Sequence, residues 1–359
     1  MTLPTTSDRS GVAVPLPGMQ APATPLLALD RFSVAFPGAN GPVPVVRGID
    51  LSLAPGEALG IVGESGCGKS VTWLAALRLL GRGVVTSGAA RLGGEDITRL
   101  PERALARIRG GRIGLIFQDP TSSLNPVQRI GIQLMEVLRL HRGLRGDAAR
   151  REALRLLDRV GIADAPRRLR QYPHELSGGM NQRVMIALAL AGEPEVLIAD
   201  EPTTALDATI QAQILNLIRD IRRESGMGLV LISHDIGVVA DLCDRVAVMY
   251  AGRVVDTAAT QDLLNRPRHP YTRGLLAALP TLDGPRCRLT PIAGTVPAPD
   301  RMPPGCAFAP RCSLAIDACR TQVPALVLAA QDQRAACLRL AETAAPPSAH
   351  APVPVGAFA

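Results

Sequence analysis

An α/β fold, with a mostly parallel sheet and helices on both of its faces, is predicted by three observations. Short apolar runs alternate with stretches of helical periodicity through most of the 359 residues, the pattern that strand–helix–strand crossovers produce. One apolar run, residues 58–62, opens directly into a glycine-rich segment with the phosphate-binding spacing G-x-x-x-x-G-K-S. Another, residues 196–200, ends in two adjacent acids, Asp200 and Glu201.

Residues 1–25 are rich in Pro, Thr and Ala and read as a flexible tail. They lack a basic start followed by an apolar block, so no signal peptide is expected and the chain is assigned to the cytosol. Ser33-Val34-Ala35-Phe36 followed by Gly38 reads as a strand and a turn. Residues 58–62 form a buried strand, and a helical pattern runs from about Lys69 to Leu80. Ile113–Gln118 reads as a second buried strand, and residues 130–160 as helical, with Arg and Glu on the polar side. Residues 210–224 form an amphipathic helix. Residues 229–233 form a strand ending at His234, and residues 245–250 another. The helical block at about 95–190 interrupts the alternation and is expected to be a subdomain inserted in one domain over 26–265. From 266 to 340 Pro, Arg and Cys rise and periodicity falls, which predicts a small appended Cys-rich module. Residues 341–359 read as a second flexible tail. The longest apolar run, near 184–191, is ended by Gly192-Glu193-Pro194, well short of a membrane span.

Composition excludes several classes. With 47% hydrophobic and 20% charged residues, the chain is neither disordered, collagen-like nor a small disulfide scaffold. Seven cysteines in a cytosolic chain are expected to be thiols or ligands. The net charge is +7, from 39 Lys+Arg against 32 Asp+Glu. Aromatics are only 3%, too few for stacking along single strands, and no nucleic-acid partner is expected. Among the 39 basic residues a single one, Lys69, is lysine.

That lysine stands where its shape matters. Gly63, Glu64, Ser65, Gly66, Cys67, Gly68, Lys69 and Ser70 form the glycine-rich segment, with a strand before it and a helix after it. Glycines let successive backbone N–H groups turn inward as an anion nest, and the helix behind adds its positive end. Lys69 can reach β- and γ-phosphates as a compact charge, and Ser70 can ligate Mg²⁺. The broad guanidinium of Arg is a poor substitute in such a slot. Of the two strand-end acids, Asp200 suits Mg²⁺ and Glu201 suits polarising an attacking water.

Four further stretches complete the set: Gln118-Asp119-Pro120 after a strand, Leu176-Ser177-Gly178-Gly179-Met180-Asn181-Gln182-Arg183 ahead of the acid strand, Thr204-Ala205-Leu206-Asp207 after it, and Ser233-His234-Asp235. In this order they resemble the nucleotide-binding subunit of an ABC transporter over roughly residues 26–265. The resemblance implies a P-loop ABC ATPase core with an antiparallel β part beside the parallel sheet, and ATP and Mg²⁺ as ligands. It implies that Ser177, Gly178 and Gly179 face the nucleotide of an opposing subunit, so that ATP lies between two half-sites. By the same resemblance Gln118 contacts Mg²⁺ and water, His234 contacts the γ-phosphate and Asp207 works across the dimer interface. Phe36 resembles the aromatic that stacks on adenine, with a core aromatic at a strand end as the rival reading. Met180 stands where many members have Gln, as in the peptide-importer branch.

Arg268-His269-Pro270-Tyr271-Thr272, with Leu275 to Pro280, resembles the C-terminal extension of oligopeptide and dipeptide importer ATPases, most like the dipeptide-type subunit. Cys306, Cys312, Cys319 and Cys337 give C-x₅-C-x₆-C-x₁₇-C, four thiols within 32 residues. The spacing lacks the close pairs of structural zinc sites and differs from the common ferredoxin spacings. The importer ATPases that the chain resembles carry a [4Fe–4S] cluster on cysteines of this arrangement. That cluster is the expected ligand, with zinc second and free thiols third. Cys67, Cys243 and Cys287 read as bystanders. The resemblance further implies a peripheral subunit on the cytoplasmic side of the membrane, paired with a second, non-identical ATPase. Its other partners would be two permeases and, indirectly, an extracytoplasmic binding protein. Nickel or another small solute is the alternative cargo, and a soluble ABC ATPase acting on nucleic acid or ribosomes the distant alternative.

Overall fold

The computed structural model describes residues 24–204, 206–278 and 291–343. The chain opens with a hairpin of β1 (Leu27–Phe36) and β2 (Val43–Leu53) and enters the core as β3 (Ala58–Val62). It turns through α1 (Lys69–Ala76) and returns to the hairpin as β4 (Val85–Leu92) and β5 (Glu95–Asp96). The four outer strands form one antiparallel sheet in the order β2-β1-β4-β5. Helices then dominate: α2 (Glu102–Ile108), and after β6 (Ile113–Ile116) α3 (Pro120–Ser123), α4 (Ile130–Arg142), α5 (Gly146–Arg159), α6 (Ala165–Arg168) and α7 (Gly178–Leu190). Alternation resumes with β7 (Val196–Asp200), α8 (Ala208–Ser225), β8 (Gly228–Ser233), α9 (Ile236–Leu242), β9 (Arg245–Tyr250) and β10 (Arg253–Ala259). After β10 comes α10 (Thr260–Asn265), and the C-terminal extension adds α11 (Pro270–Ala277), α12 (Asp317–Thr321), β11 (Val327–Ala330) and β12 (Gln333–Ala335).

The core sheet has the order β11-β12-β10-β9-β3-β8-β7-β6. From β9 to β6 the pairings are parallel, as the alternation predicts. Every residue of β3, β7 and β8 is buried, as expected of parallel strands covered on both faces. Packing is tight enough to exclude a methyl group at Gly60, whose Cβ would lie 2.2 Å from Val239 Cγ1 on α9. Two apolar clusters share this sheet. One, with Leu59, Ile61, Ile198, Val230 and Ile232, packs against the outer sheet and α1. The other, with Val62, Ile116, Leu197, Leu229 and Leu231, packs against the helical block, including Leu134, Leu156 and Val184.

Several expectations shift. The helix after the glycine-rich loop stops at Ala76 rather than Leu80, because Leu77 is its C-cap and Arg78 takes φ 51. The helical stretch expected over 130–160 is two helices, since Gly143 turns left-handed (φ 68) and caps the first. The strand expected at 33–36 begins at Leu27, and that expected over 113–118 ends at Ile116. The cysteine-bearing extension is less separate than expected: β12 pairs with β10 and β11 with β12, so it extends the core sheet. The tails expected at 1–25 and 341–359 lie, but for residues 24–25 and 341–343, outside the described residues.

Candidate active site

The parallel strands β3, β6, β7 and β8 end on one edge of the sheet, where ligands of open α/β sheets bind. The glycine-rich loop follows β3, Gln118 follows β6, Asp200 and Glu201 end β7, and His234 follows β8. In the loop, Gly66 (φ 77) and Gly68 (φ 100) adopt left-handed backbone that side-chain-bearing residues avoid. Gly63 is required by crowding, since a Cβ there would lie 2.3 Å from the Met249 carbonyl oxygen. Lys69 is buried, and its Nζ donates to the carbonyls of Gly63 (2.7 Å) and Glu64 (3.1 Å). Ser70 Oγ donates to Asp200 Oδ1 at 2.9 Å. Burial pushes the Asp200 carboxyl above its ordinary value, against the lowering effect of that hydrogen bond.

Glu201 is the centre of a second cluster. Its backbone sits at φ 46, uncommon for a non-glycine residue, and its N–H donates to the Ile232 carbonyl at 2.9 Å. Its carboxylate oxygen Oε2 accepts from Gln118 Nε2 (3.0 Å) and Thr204 Oγ1 (2.9 Å). His234 Nδ1 lies 3.3 Å from the same oxygen. Strained backbone held by its surroundings at a strand end is a mark of a functional residue. Thr204 joins this cluster although sequence reasoning gave it no role. Its place three residues after Glu201, in a turn, was the available signal.

The remaining expected residues gather elsewhere. Ser177 caps α7, its Oγ accepting from Met180 N at 3.3 Å, which leaves the N–H groups of Gly178 and Gly179 at the helix start. Asp207 caps α8 through Ile210 N at 2.9 Å. These two helix starts are neighbours, for a Cβ on Gly179 would come within 3.1 Å of Ile210 Cγ2, and Arg183 Nη2 reaches Gln213 Oε1 at 2.9 Å. Among the described residues no hydrogen bond or ion pair joins Ser177, Gly178, Gly179 or Asp207 to Lys69, Ser70, Asp200 or Glu201. Phe36 ends β1, half-buried against the outer-sheet cluster. Cys67 lies wholly buried, its thiol raised by burial, and Cys243 is buried likewise. Cys287 lies outside the described residues.

Cys306, Cys312, Cys319 and Cys337 line one small cavity, together with His269 and Phe308. Burial raises the thiols of Cys306, Cys312 and Cys337. Cys306 N donates to the Cys319 carbonyl at 2.8 Å, fixing two of the four segments together. His269 is buried beside them, its pKa pushed down to about 3 by burial, and its Nδ1 accepts from Tyr271 N. Among the described residues no group of three or more His, Cys, Asp or Glu side chains stands in an arrangement that could hold a metal ion.

An ATP-binding cassette is the class that this sheet edge and loop define, and comparison with known proteins bears that out. Residues 46–204 match the ABC transporter family, and residues 255–319 match the C-terminal region of oligopeptide/dipeptide transporters. A peptide import ATP-binding protein of Brucella abortus (strain 2308) is 52% identical over 305 residues, 85% of this chain and 92% of the relative. A second protein of that name from the same strain is 48% identical over 334 residues, 89% of this chain and 99% of the relative. The ATP-binding cassette MJ0796, solved as a dimer in a post-hydrolysis state with ADP and Pi, has a TM-score of 0.59 at 28% identity. It covers 65% of this chain and 98% of its own. The cbiO1 protein of Clostridium perfringens, part of the ABC transporter complex cbiONQ, has a TM-score of 0.57 at 28% identity, covering 67% and 90%. The chain belongs to the ABC transporter family, as an ATP-hydrolysing cassette with the oligopeptide/dipeptide transporter C-terminal region.

Proposed function

We propose that this chain is the ATP-hydrolysing subunit of an importer that takes up dipeptides or oligopeptides across the cytoplasmic membrane. It would work as a peripheral subunit on the cytoplasmic side, paired with a second, non-identical cassette and two permeases supplied by an extracytoplasmic binding protein. The observation that carries the catalytic half of the reading is the convergence of Gln118, Thr204 and His234 on one oxygen of Glu201. The peptide half is supported by the match to the oligopeptide/dipeptide transporter C-terminal region and by the names of the relatives. No helix among the described residues is long and apolar enough to cross a membrane.

In this reading the loop from Gly63 to Gly68, except the Glu64 N–H that donates to Tyr271, and Lys69 bind the phosphates, and Phe36 stacks on the adenine. Ser70, Asp200 and Gln118 would hold Mg²⁺, which supplies charge neutralisation between the phosphates. The close contact of Ser70 Oγ with Asp200 Oδ1 puts two oxygen donors of the right kind side by side. Glu201 orients the attacking water and takes its proton on Oε1, while Oε2 is held by its three neighbours. His234 is positioned by the same oxygen to reach the γ-phosphate. Ser177, Gly178, Gly179 and Asp207 serve the nucleotide of the partner cassette. Glu201→Gln should keep ATP affinity and lower turnover by about 10²–10⁴-fold. Single-turnover phosphate release measures this, and wild-type turnover would remove Glu201 from its role. Growth of a deletion strain on dipeptides, longer peptides or limiting nickel tests the cargo, and a defect confined to nickel would replace the peptide reading.

For the four cysteines we infer a [4Fe–4S] cluster in preference to zinc, although the thiols do not stand in a metal-holding arrangement and would have to close round it. The support is that all four thiols line one cavity and that their spacing lacks the close pairs of zinc knuckles. A cluster would staple segments spread over residues 306–337 onto the core. Protein purified without oxygen should contain iron and sulfide. Stoichiometric zinc would favour the second ligand, and absence of both metals would leave free thiols.

A further inference from the structure

Glu64, the second residue of the phosphate loop, is held at three points. Its carbonyl accepts from Lys69 Nζ at 3.1 Å. Its N–H donates to the hydroxyl of Tyr271 at 2.9 Å. Its carboxylate accepts from Arg311 Nη1, with both oxygens at 3.0 Å. Only the first of these partners belongs to the loop. Tyr271 and Arg311 lie 207 and 247 residues further along, in the C-terminal extension.

Both outside partners are fixed. The Tyr271 ring is wholly buried, 4.6 Å from that of Tyr250 and 5.4 Å from that of Phe308. The Arg311 side chain is only 5% exposed. Its other bonds go to the carbonyls of Ala293 (2.9 Å) and Ile292 (3.2 Å) and to the Tyr250 hydroxyl (3.3 Å). A guanidinium so buried is costly unless paired, and the acid that pairs it is a residue of the phosphate loop.

Peptide planarity carries the consequence. The N–H of Glu64 and the C=O of Gly63 belong to one peptide plane and point in opposite directions. Tyr271 holds the N–H on the back of the loop, so the Gly63 carbonyl faces the other way, where it accepts from Lys69 Nζ at 2.7 Å. The hydroxyl of Tyr271 therefore fixes the peptide that guides the single lysine, while Arg311 anchors the same residue by its side chain.

We propose that Tyr271 and Arg311 are positioning residues for ATP binding: the C-terminal extension forms the back of the phosphate loop and preorganises it for the nucleotide. This rests on Lys69 and its loop being the nucleotide site. Preorganisation of this kind acts on affinity, because the ordering is complete before the ligand arrives.

The test uses the full-length chain, with N-methylanthraniloyl-ATP and Mg²⁺ as the binding probe and ATP turnover in the assembled transporter. Tyr271→Phe keeps the ring and deletes the hydroxyl. It should raise the Kd and the KM for ATP by roughly fivefold while kcat changes less than about twofold. Arg311→Met should weaken binding by roughly tenfold, and adding Glu64→Gln should recover part of that loss, since the unpaired carboxylate is then gone. Unchanged affinity in Tyr271→Phe and Glu64→Gln, even with a lower melting midpoint, would overturn the proposal and leave these contacts as a staple of the fold. Where Arg311→Met does not fold, those two variants decide. Lys69→Ala, which removes the charge, is the control: normal binding there would sink the loop as nucleotide site, whereas its loss beside normal binding in the other variants would sink the positioning role alone.

Discussion

Two glycines, Gly63 at the head of the loop before α1 and Gly178 opening α7, are glycine for different reasons. A Cβ on Gly63 would lie 2.3 Å from the Met249 carbonyl oxygen and 2.8 Å from Cys67 Sγ. The chain's own packing therefore demands glycine there. Around Gly178 nothing stands within 4 Å of the equivalent position, and its backbone is not left-handed. Neither space nor conformation inside this chain requires a bare backbone at Gly178. The phosphate loop is thus completed by its own subunit, closed behind by Met249, Tyr271 and Arg311. Gly178 is open, and in the proposed reading its counterpart is the nucleotide of a second cassette.

The comparison breaks most sharply at Lys69. Lys69→Arg preserves charge but not shape, and it should weaken ATP binding by roughly 100-fold in equilibrium titration. A tenfold or smaller effect would mean that charge alone suffices on the closed side. Gly178→Val probes the open side. It should leave ATP affinity of the single chain within about twofold, yet lower turnover of the assembled transporter by roughly tenfold or more by blocking the exposed N–H groups. Reduced affinity in the single chain would show that the two sides are not separate. Ser177→Ala removes the cap of α7 as well as the hydroxyl assigned to the partner's nucleotide, and the lost cap should cost about 1 kcal/mol in denaturant unfolding. Asp200→Asn sharpens the contrast on the closed side. Burial raises the Asp200 carboxyl, so the folded protein holds that proton more tightly than the unfolded chain. Stability is then lost as pH rises through the raised value. With Mg²⁺ chelated, Asp200→Asn should melt above the wild type at about pH 8 and level with it near pH 4, although it lacks Mg²⁺-dependent turnover. A variant that melts lower at both values would show that burial does not penalise the charge.

Much of this was legible because it is local. The strand, glycine loop and helix of 58–76 lie in one continuous stretch, and β7 with its two acids has the expected bounds. The break between α4 and α5 lies at Gly143 and Gly146, both left-handed (φ 68 and 54) with extended Arg145 before the second, and two glycines three residues apart are the signal that marks it. Pairing of β12 with β10 was missed because strands of four and three residues carry too little alternation to be read. Thr204 was passed over because only the turn after Glu201 brings its hydroxyl to that carboxylate.

By itself the sequence supplied the residues of the proposed chemistry: a lysine in a glycine-rich loop, two acids at the end of a buried strand, a glutamine and a histidine after two other strands. Periodicity and contiguous motifs encode these because each is built by residues adjacent in the chain. Only the tertiary structure decided what surrounds them. It gathered Gln118, Thr204 and His234 on one oxygen of Glu201, brought four distant cysteines to one cavity, and set Tyr271 and Arg311 behind Glu64. The longest of these, from Arg311 to Glu64, spans 247 residues, and the Tyr271 and Arg311 contacts form where the extension buries its aromatic residues against Tyr250 at the end of β9.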